Sequence, residues 1–152
     1  MKTKPISQLD DHLGYWLRFV SNHVSHAFKL KVEACGVTVA EWVVLRELLR
    51  HGKTNPSAIA DVLGMTRGAI SKLTDRLIVK GLVARGEVRS DQRFHTVALT
   101  AAGKRLVPRL AALADANEEE FFGHLSKAQR AELKELLTDL VRLHGWKDVP
   151  TT

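Results

Sequence analysis

Amphipathic helices with recognisable caps fill almost the whole of this 152-residue chain, and the pattern is broken only once. Apolar residues recur at spacings of three and four over residues 7–33 and over five shorter segments, as on the buried side of a helix. Two short β-prone runs, residues 82–85 and 96–99, flank a polar, charged segment in the middle. The sequence therefore predicts a mainly α-helical fold in which four helices, a small β-hairpin and two further helices follow one another.

Polar residues at the expected helix starts support these boundaries. Glu41 and Gln129 each stand three residues after a hydroxyl side chain and complete a capping box. Pro108 falls inside the predicted fifth helix, where it should bend that helix or mark a later start. The predicted N-caps are Thr38, Asn55, Thr66, Thr100 and Ser126.

The positive charge of the chain is concentrated in its middle third. Residues 53–105 contain ten Lys/Arg and four Asp/Glu, an excess that equals the net charge of +6 of the whole chain. This distribution favours a module that binds a polyanion over a merely solubilising surface. A single cysteine, Cys35, excludes an internal disulfide, and its small side chain is expected to be buried at a helix end. Since no apolar run is long enough to cross a membrane, we expect a cytoplasmic protein.

Residues 55–80 have the layout of a helix-turn-helix, with a short helix, a tight turn at Gly64 and a longer helix. One side of the longer helix is apolar and should pack on the core, through Ala69, Ile70, Leu73 and Leu77. The opposite side is short, polar and basic, through Arg67, Gly68, Ser71, Lys72, Asp75 and Arg76. Such a surface can enter a DNA major groove, although any surface helix also has a polar side. The hairpin that follows favours the DNA-binding interpretation, because Arg89 and Arg93 could reach an adjacent minor groove.

Three segments resemble the MarR-type transcriptional regulators. Residues 64–83 resemble the recognition helix of that family and its first wing strand. Asp91-Gln-Arg93, followed by Val-Ala-Leu-Thr at residues 97–100, resembles the wing signature. Residues 38–45 resemble the opening of the helix that precedes the DNA-reading pair.

The resemblance implies a winged helix-turn-helix at residues 37–103, embedded between dimerisation helices at residues 7–36 and 104–146. It implies a homodimer on a pseudo-palindromic duplex operator. Arg93 would enter the minor groove, Asp91 would brace the wing through a basic neighbour such as Arg76, and Ser57 would donate to phosphate. The full set of predicted DNA-binding residues is Ser57, Thr66, Arg67, Gly68, Ser71, Lys72, Arg76, Arg89, Asp91 and Arg93.

The same resemblance implies a repressor that a small aromatic effector releases from DNA. The predicted effector pocket comprises Trp16, His23, Trp42 and Arg46, and the alternative is that both tryptophans are simply core residues. No cofactor is expected, and the pair His23 and His26 is better explained as ordinary histidines than as zinc ligands. No catalytic motif supports an enzyme. The remaining alternative is a winged-helix module that binds protein and has no DNA partner.

Overall fold

A computed structural model describes residues 3–86 and 96–147. These residues form six α-helices and one two-stranded antiparallel sheet, in the predicted order. The elements are α1 (Leu13–Glu33), α2 (Val39–His51), α3 (Pro56–Leu63), α4 (Arg67–Val79), β1 (Val83–Gly86), β2 (Thr96–Leu99), α5 (Ala101–Phe122) and α6 (Lys127–His144).

The predicted caps are confirmed. Thr38 Oγ1 accepts from the Glu41 N–H at 3.1 Å and the Glu41 carboxylate accepts from the Thr38 N–H, so both halves of the capping box are present. The Ser126 box has the same two bonds. These bonds satisfy amide groups that a helix start leaves without partners.

Two local predictions differ from the structure. The long helix expected over residues 7–33 begins only at Leu13, after a single 3₁₀ turn at Leu9–Asp11. His12 is extended between them, and the Asp11 carboxylate caps the turn by accepting from the Gln8 N–H at 2.9 Å. In α5, Pro108 does not delay the start, because Thr100 already caps the helix at Ala101. Pro108 is exposed, so water can satisfy the carbonyl that its missing N–H leaves free.

The apolar core is confined to the middle of the chain. Its fully buried members run from Val32 to Leu110 and come mainly from α2, α3, α4 and the two strands. By contrast, among the residues described, α1 buries a single residue, Val32, and α6 buries none. The outer helices instead expose large apolar side chains, including Leu13 at 81% and Leu136 at 59%. The core therefore holds the helix-turn-helix and the hairpin together, while α1 and α6 keep apolar surface available.

Candidate nucleic-acid interface

The turn between α3 and α4 is fixed by short-range bonds. Gly64 adopts the left-handed conformation with φ +62°, which glycine reaches without strain. The Met65 N–H then donates back to the Ala60 carbonyl at 3.0 Å. Thr66 Oγ1 accepts from the Ala69 N–H at 3.1 Å and starts α4 immediately after the turn. The two helices are thus joined as a helix-turn-helix, as predicted.

Helix α4 has one buried and one exposed side. Its buried side chains are Ile70, Leu73, Thr74 and Leu77. The predicted DNA-binding residues Thr66, Arg67, Gly68, Ser71, Lys72 and Arg76 are all exposed. A Cβ added at Gly68 would meet nothing within 4 Å, so another molecule could approach the backbone there. We refer to this exposed side as the α4 polar face. The sequence analysis did not place Thr74 on the packed side of α4, because its side chain is polar.

Ser57 occupies the second position of α3 and is half-buried. Asn55 Oδ1 accepts from the Ala58 N–H at 2.8 Å and caps this helix. The first turn of a helix has free N–H groups and a positive dipole end, so a phosphate is favoured there.

Strand β2 of the hairpin is hydrogen-bonded along both of its edges. Val83 pairs with Leu99 and Gly86 with Thr96 in the antiparallel register. Outside this sheet, Thr54 and Val97 exchange both backbone hydrogen bonds, at 3.1 and 2.7 Å, which ties β2 to the loop before α3. The hairpin therefore has a fixed base next to the helix-turn-helix.

A salt bridge joins the hairpin to the α4 polar face. Arg85 Nη2 of β1 lies 2.9 Å from Asp75 Oδ1 of α4, and both side chains are exposed. Sequence reasoning missed this contact, although an acidic residue on an otherwise basic helix face was a signal. Arg89, Asp91 and Arg93 lie outside the described residues, and so does the predicted contact between Asp91 and Arg76.

An ion pair with one buried partner fixes the other end of α4. Lys80, which caps α4, donates from Nζ to the Gly36 carbonyl and to Glu41 Oε1, each at 2.9 Å. Nζ also lies 2.8 Å from Glu41 Oε2, and that oxygen accepts no hydrogen bond from the residues that the structure describes. The Glu41 side chain is 1% exposed and that of Lys80 is 37% exposed. This pair links the recognition helix to the start of α2. The sequence showed Glu41 only as a capping residue.

The four residues predicted for an effector pocket have different environments. Trp42 is 5% exposed and belongs to the core, and the Arg46 guanidinium lies 5.8 Å from the centre of its ring. Trp16 is half-exposed and lines an apolar groove formed by α1, α5 and α6. His23 is exposed on α1 with its ring 5.0 Å from that of Phe19. Trp42 is therefore a core residue, as the alternative interpretation of the two tryptophans predicted, whereas Trp16 is not.

In residues 3–86 and 96–147, no helix combines the length and apolar character needed to cross a membrane. In the same ranges, no three His, Cys, Asp or Glu side chains come together as a metal site would require.

The sequence matches known transcriptional regulators. A family model described as the MarR family matches residues 36–93. The transcriptional regulator HosA of Escherichia coli O157:H7 is 28% identical over 117 residues, which cover 77% of this chain and 84% of HosA. The HTH-type transcriptional repressor MdtR of Bacillus subtilis is 36% identical over 100 residues, which cover 66% of this chain and 64% of MdtR.

The fold also matches that of a solved protein–DNA complex. The S. aureus MepR–DNA complex superposes with a TM-score of 0.75 at 25% identity, over 86% of this chain and 97% of MepR. The mainly helical fold with a two-stranded wing, predicted from sequence, is confirmed. Residues 36–93 are therefore a segment of the MarR-family type, and the fold of the described residues is that of a winged helix-turn-helix regulator solved in complex with DNA.

Proposed function

We propose that this protein is a sequence-specific DNA-binding regulator that represses transcription as a homodimer and has no catalytic activity. The observation that carries the proposal is the α4 polar face, where exposed Arg67, Ser71 and Lys72 lie opposite a fully packed side. Arg and Lys donate to guanine edges in the major groove, and Ser can contact either base type. A helix with its side chains is about 10–12 Å across, which fits a groove about 12 Å wide, and the 13 residues of α4 extend roughly 20 Å along it.

The hairpin supplies the second contact in this proposal. Its base is held against α4 by the salt bridge between Asp75 and Arg85. Arg89 and Arg93, which follow β1 in the chain, would then extend from this base towards the adjacent minor groove. The negative potential of a narrow minor groove favours arginine there.

The apolar surface of α1 and α6 supports dimerisation. Leu13, Leu30 and Leu136 are each more than half exposed, which is costly in water unless another surface covers them. A second copy that covers these helices would form one helical dimerisation region from residues 7–36 and 104–146, beside two winged helix-turn-helix units at residues 37–103. Two α4 helices related by a two-fold axis would read a pseudo-palindromic operator.

We propose repression because the relative MdtR is named as a transcriptional repressor, and because the solved structure of MepR is a complex with DNA. Release by a small aromatic effector follows from the family resemblance, with Trp16, His23, Trp42 and Arg46 as the predicted pocket. A protein that binds chromosomal DNA would act in the cytoplasm.

Selection of bound sequences from a random duplex pool, followed by fluorescence anisotropy on the selected operator, tests this function. We expect Lys72→Ala and Arg93→Ala each to weaken binding by about 1–3 kcal/mol, roughly 5- to 150-fold. Lys127→Ala, which removes the same charge from the exposed start of α6, is the matched control and should change affinity less than about twofold.

Binding should also weaken steeply as salt rises, because each phosphate contact releases a counterion. If no sequence is enriched and duplex DNA is not retained even at low salt, DNA recognition is wrong. A winged-helix module that binds another protein would then be the better interpretation.

A further inference from the structure

A buried asparagine interrupts the apolar stripe of α5. Asn117 is 4% exposed and continues the helical spacing of Leu106, Leu110 and Leu113, with Phe121 one turn further on. An apolar side chain would fit the pattern at this position, because a buried amide loses its bonds to water and must replace them within the protein. The bonds that Asn117 forms therefore indicate what it contributes.

Asn117 forms hydrogen bonds to two points on α1. Its Nδ2 donates to the Val24 carbonyl at 3.2 Å, and its Oδ1 accepts from Lys31 Nζ at 2.9 Å. Lys31 also pairs with Glu120, three residues further along α5. Among residues 3–86 and 96–147, these are the side-chain hydrogen bonds between the two helices. Hydrogen bonds require a definite geometry, whereas apolar packing tolerates rearrangement, so these bonds select one arrangement of α1 on α5.

The apolar packing of α1 holds it mainly at one end. Val32, near the C-terminal end, is the single residue of α1 that is buried among those described, and it belongs to the core. Leu13, at the opposite end, is 81% exposed, and the helix between them is roughly 28 Å long. Since the Asn117 bond to Val24 lies between these two points, it supplies a second fixed point that prevents α1 from tilting about Val32.

A small tilt of α1 would be large enough to matter for an operator. Turning the helix by about 10° about Val32 would displace Leu13 by roughly 5 Å. Successive base pairs of duplex DNA are about 3.4 Å apart, so this displacement exceeds one base pair. Leu77 of α4 and Leu110 of α5 share the buried core, which fixes the recognition helix to α5. The angle between α1 and α5 therefore relates the exposed apolar surface of α1 to α4.

A buried polar residue can specify geometry without adding stability. A single asparagine in the apolar seam of a coiled coil fixes the register of the helices, although an apolar residue there would be more stable. Replacing buried polar groups by apolar groups of similar volume is often neutral or stabilising. Leucine is similar in size to asparagine, so Asn117→Leu should remove the geometric constraint and keep the core filled.

We infer that Asn117 is a positioning residue that fixes the tilt of α1 on α5 and thereby determines which half-site spacing the homodimer accepts. It acts through α1 and the paired copy, at a distance from the α4 polar face. The inference rests on the proposed function for its effect on DNA and on the proposed homodimer for its geometry.

Distances between spin labels test this positioning without DNA. Val79 lies on α4 and is 87% exposed, so Val79→Cys in a Cys35→Ser background places one label on each recognition helix. A homodimer then gives one distance between its two subunits. We expect a narrow distribution with Asn117 in place, and one that is broader or displaced by several ångströms in Asn117→Leu. An unchanged distribution would overturn the inference.

Operators with altered spacing test the consequence for DNA. Anisotropy compares the selected operator with duplexes whose half-sites are one base pair closer together or farther apart. The natural protein should bind both altered duplexes at least about tenfold more weakly, because its two α4 helices are held at one separation. In Asn117→Leu this ratio should fall to about threefold or less, or the preferred spacing should change. Equal weakening on all three duplexes would indicate only a weaker dimer and would overturn the inference.

Three comparisons separate positioning from folding. The urea midpoint of Asn117→Leu should not fall below that of the natural protein. Asn22→Leu makes the same change at an exposed position of α1 and should leave the label distances and the spacing preference unchanged. If Asn117→Leu does not fold, Lys31→Met replaces it, since that change removes the second bond to α1 at a half-buried site. It should broaden the label distances in the same direction, and an unchanged distribution would count against the inference.

The two kinds of measurement also distinguish this inference from the proposed function. Label distances that broaden in Asn117→Leu, in a protein that retains no duplex DNA, would refute the proposed function and support the positioning role. Specific operator binding with an unchanged spacing preference in Asn117→Leu would do the reverse. Absence of any distance between subunits would refute the homodimer and the positioning role together.

Discussion

Replacing Lys80 by methionine is the most informative test of how the recognition helix is held. Methionine keeps most of the length of lysine but removes the charge that Glu41 faces. Glu41 would remain 1% exposed, with the Thr38 N–H at 3.3 Å as the remaining donor among the described residues. A buried carboxylate with one long hydrogen bond is a costly arrangement, because its hydration is lost without compensation.

The expected size of the effect follows from the geometry. The ammonium nitrogen lies 2.8 and 2.9 Å from the two carboxylate oxygens. With an effective dielectric constant of about 20, unit charges at roughly 3 Å attract by about 5–6 kcal/mol. Desolvation opposes this attraction, and the 37% exposure of Lys80 lets water replace part of it. Since removing one partner of a buried pair costs about 3–5 kcal/mol, we expect Lys80→Met to lower the free energy of unfolding by about 2–4 kcal/mol.

Urea unfolding followed by tryptophan fluorescence measures this change, with Trp42 as the buried reporter. All variants are compared at one protein concentration, because a dimer gains stability by mass action. The double variant Glu41→Gln/Lys80→Met should recover about 1–2 kcal/mol of the loss, since the glutamine is neutral and can still accept from the Thr38 N–H.

Lys29→Met is the matched control for the buried pair. Its partner Glu33 lies 3.9 Å away, and both side chains are exposed, so the expected cost is below about 0.5 kcal/mol. Equal losses for Lys80→Met and Lys29→Met would show that burial of Glu41 does not make its ion pair important. A double variant no more stable than Lys80→Met would show that the unpaired charge is not the cause.

Three further predictions concern the contacts around α4. A Cβ at Gly103 would lie 2.2 Å from the Leu82 carbonyl oxygen, so Gly103→Ala should cost about 1–3 kcal/mol in urea unfolding, and no loss would mean that the backbone there yields freely. Gly68→Ala should raise stability by up to about 1 kcal/mol while weakening operator binding in anisotropy, and unchanged affinity would remove Gly68 from the interface. Asp75→Asn removes the charge that pairs with Arg85, and with it a negative charge from the α4 polar face. Operator affinity should fall if the salt bridge positions the wing, and a rise would show that charge alone governs binding.

The parts of the fold that the sequence predicted depend on contacts within a few residues. Thr38 and Thr66 each bond to an amide three residues ahead, so the residue type and its position suffice to place a helix start. The side of α4 that packs on the core was equally readable, because Ile70, Leu73 and Leu77 recur at helical spacing. The predicted α4 polar face depended on the same periodicity.

What the sequence did not reveal are contacts between residues far apart in the chain. Glu41 and Lys80 are 39 positions apart, and nothing in either local pattern indicates that they meet. The meeting of Lys80 with Arg105 and Arg109 around one cleft was missed for the same reason, since these charges come from the end of α4 and from α5, which the hairpin separates. The break before α1 was missed because the apolar spacing continues through His12, whereas the Asp11 carboxylate caps the start of a separate 3₁₀ turn and His12 is extended after it.

Helix α5 connects the DNA-reading unit to the outer helices, and polar bonds fix both of its ends. At its start, Thr100 Oγ1 donates to the Gly81 carbonyl at 2.7 Å, just after the recognition helix. Towards its end, the buried Asn117 donates to the Val24 carbonyl at 3.2 Å and accepts from Lys31 at 2.9 Å, both on α1. Because buried polar contacts require specific geometry, α1 has little freedom to slide along α5. The surface that would pair two copies is therefore rigidly related to α4, so α5 would set the spacing of two recognition helices in such a pair.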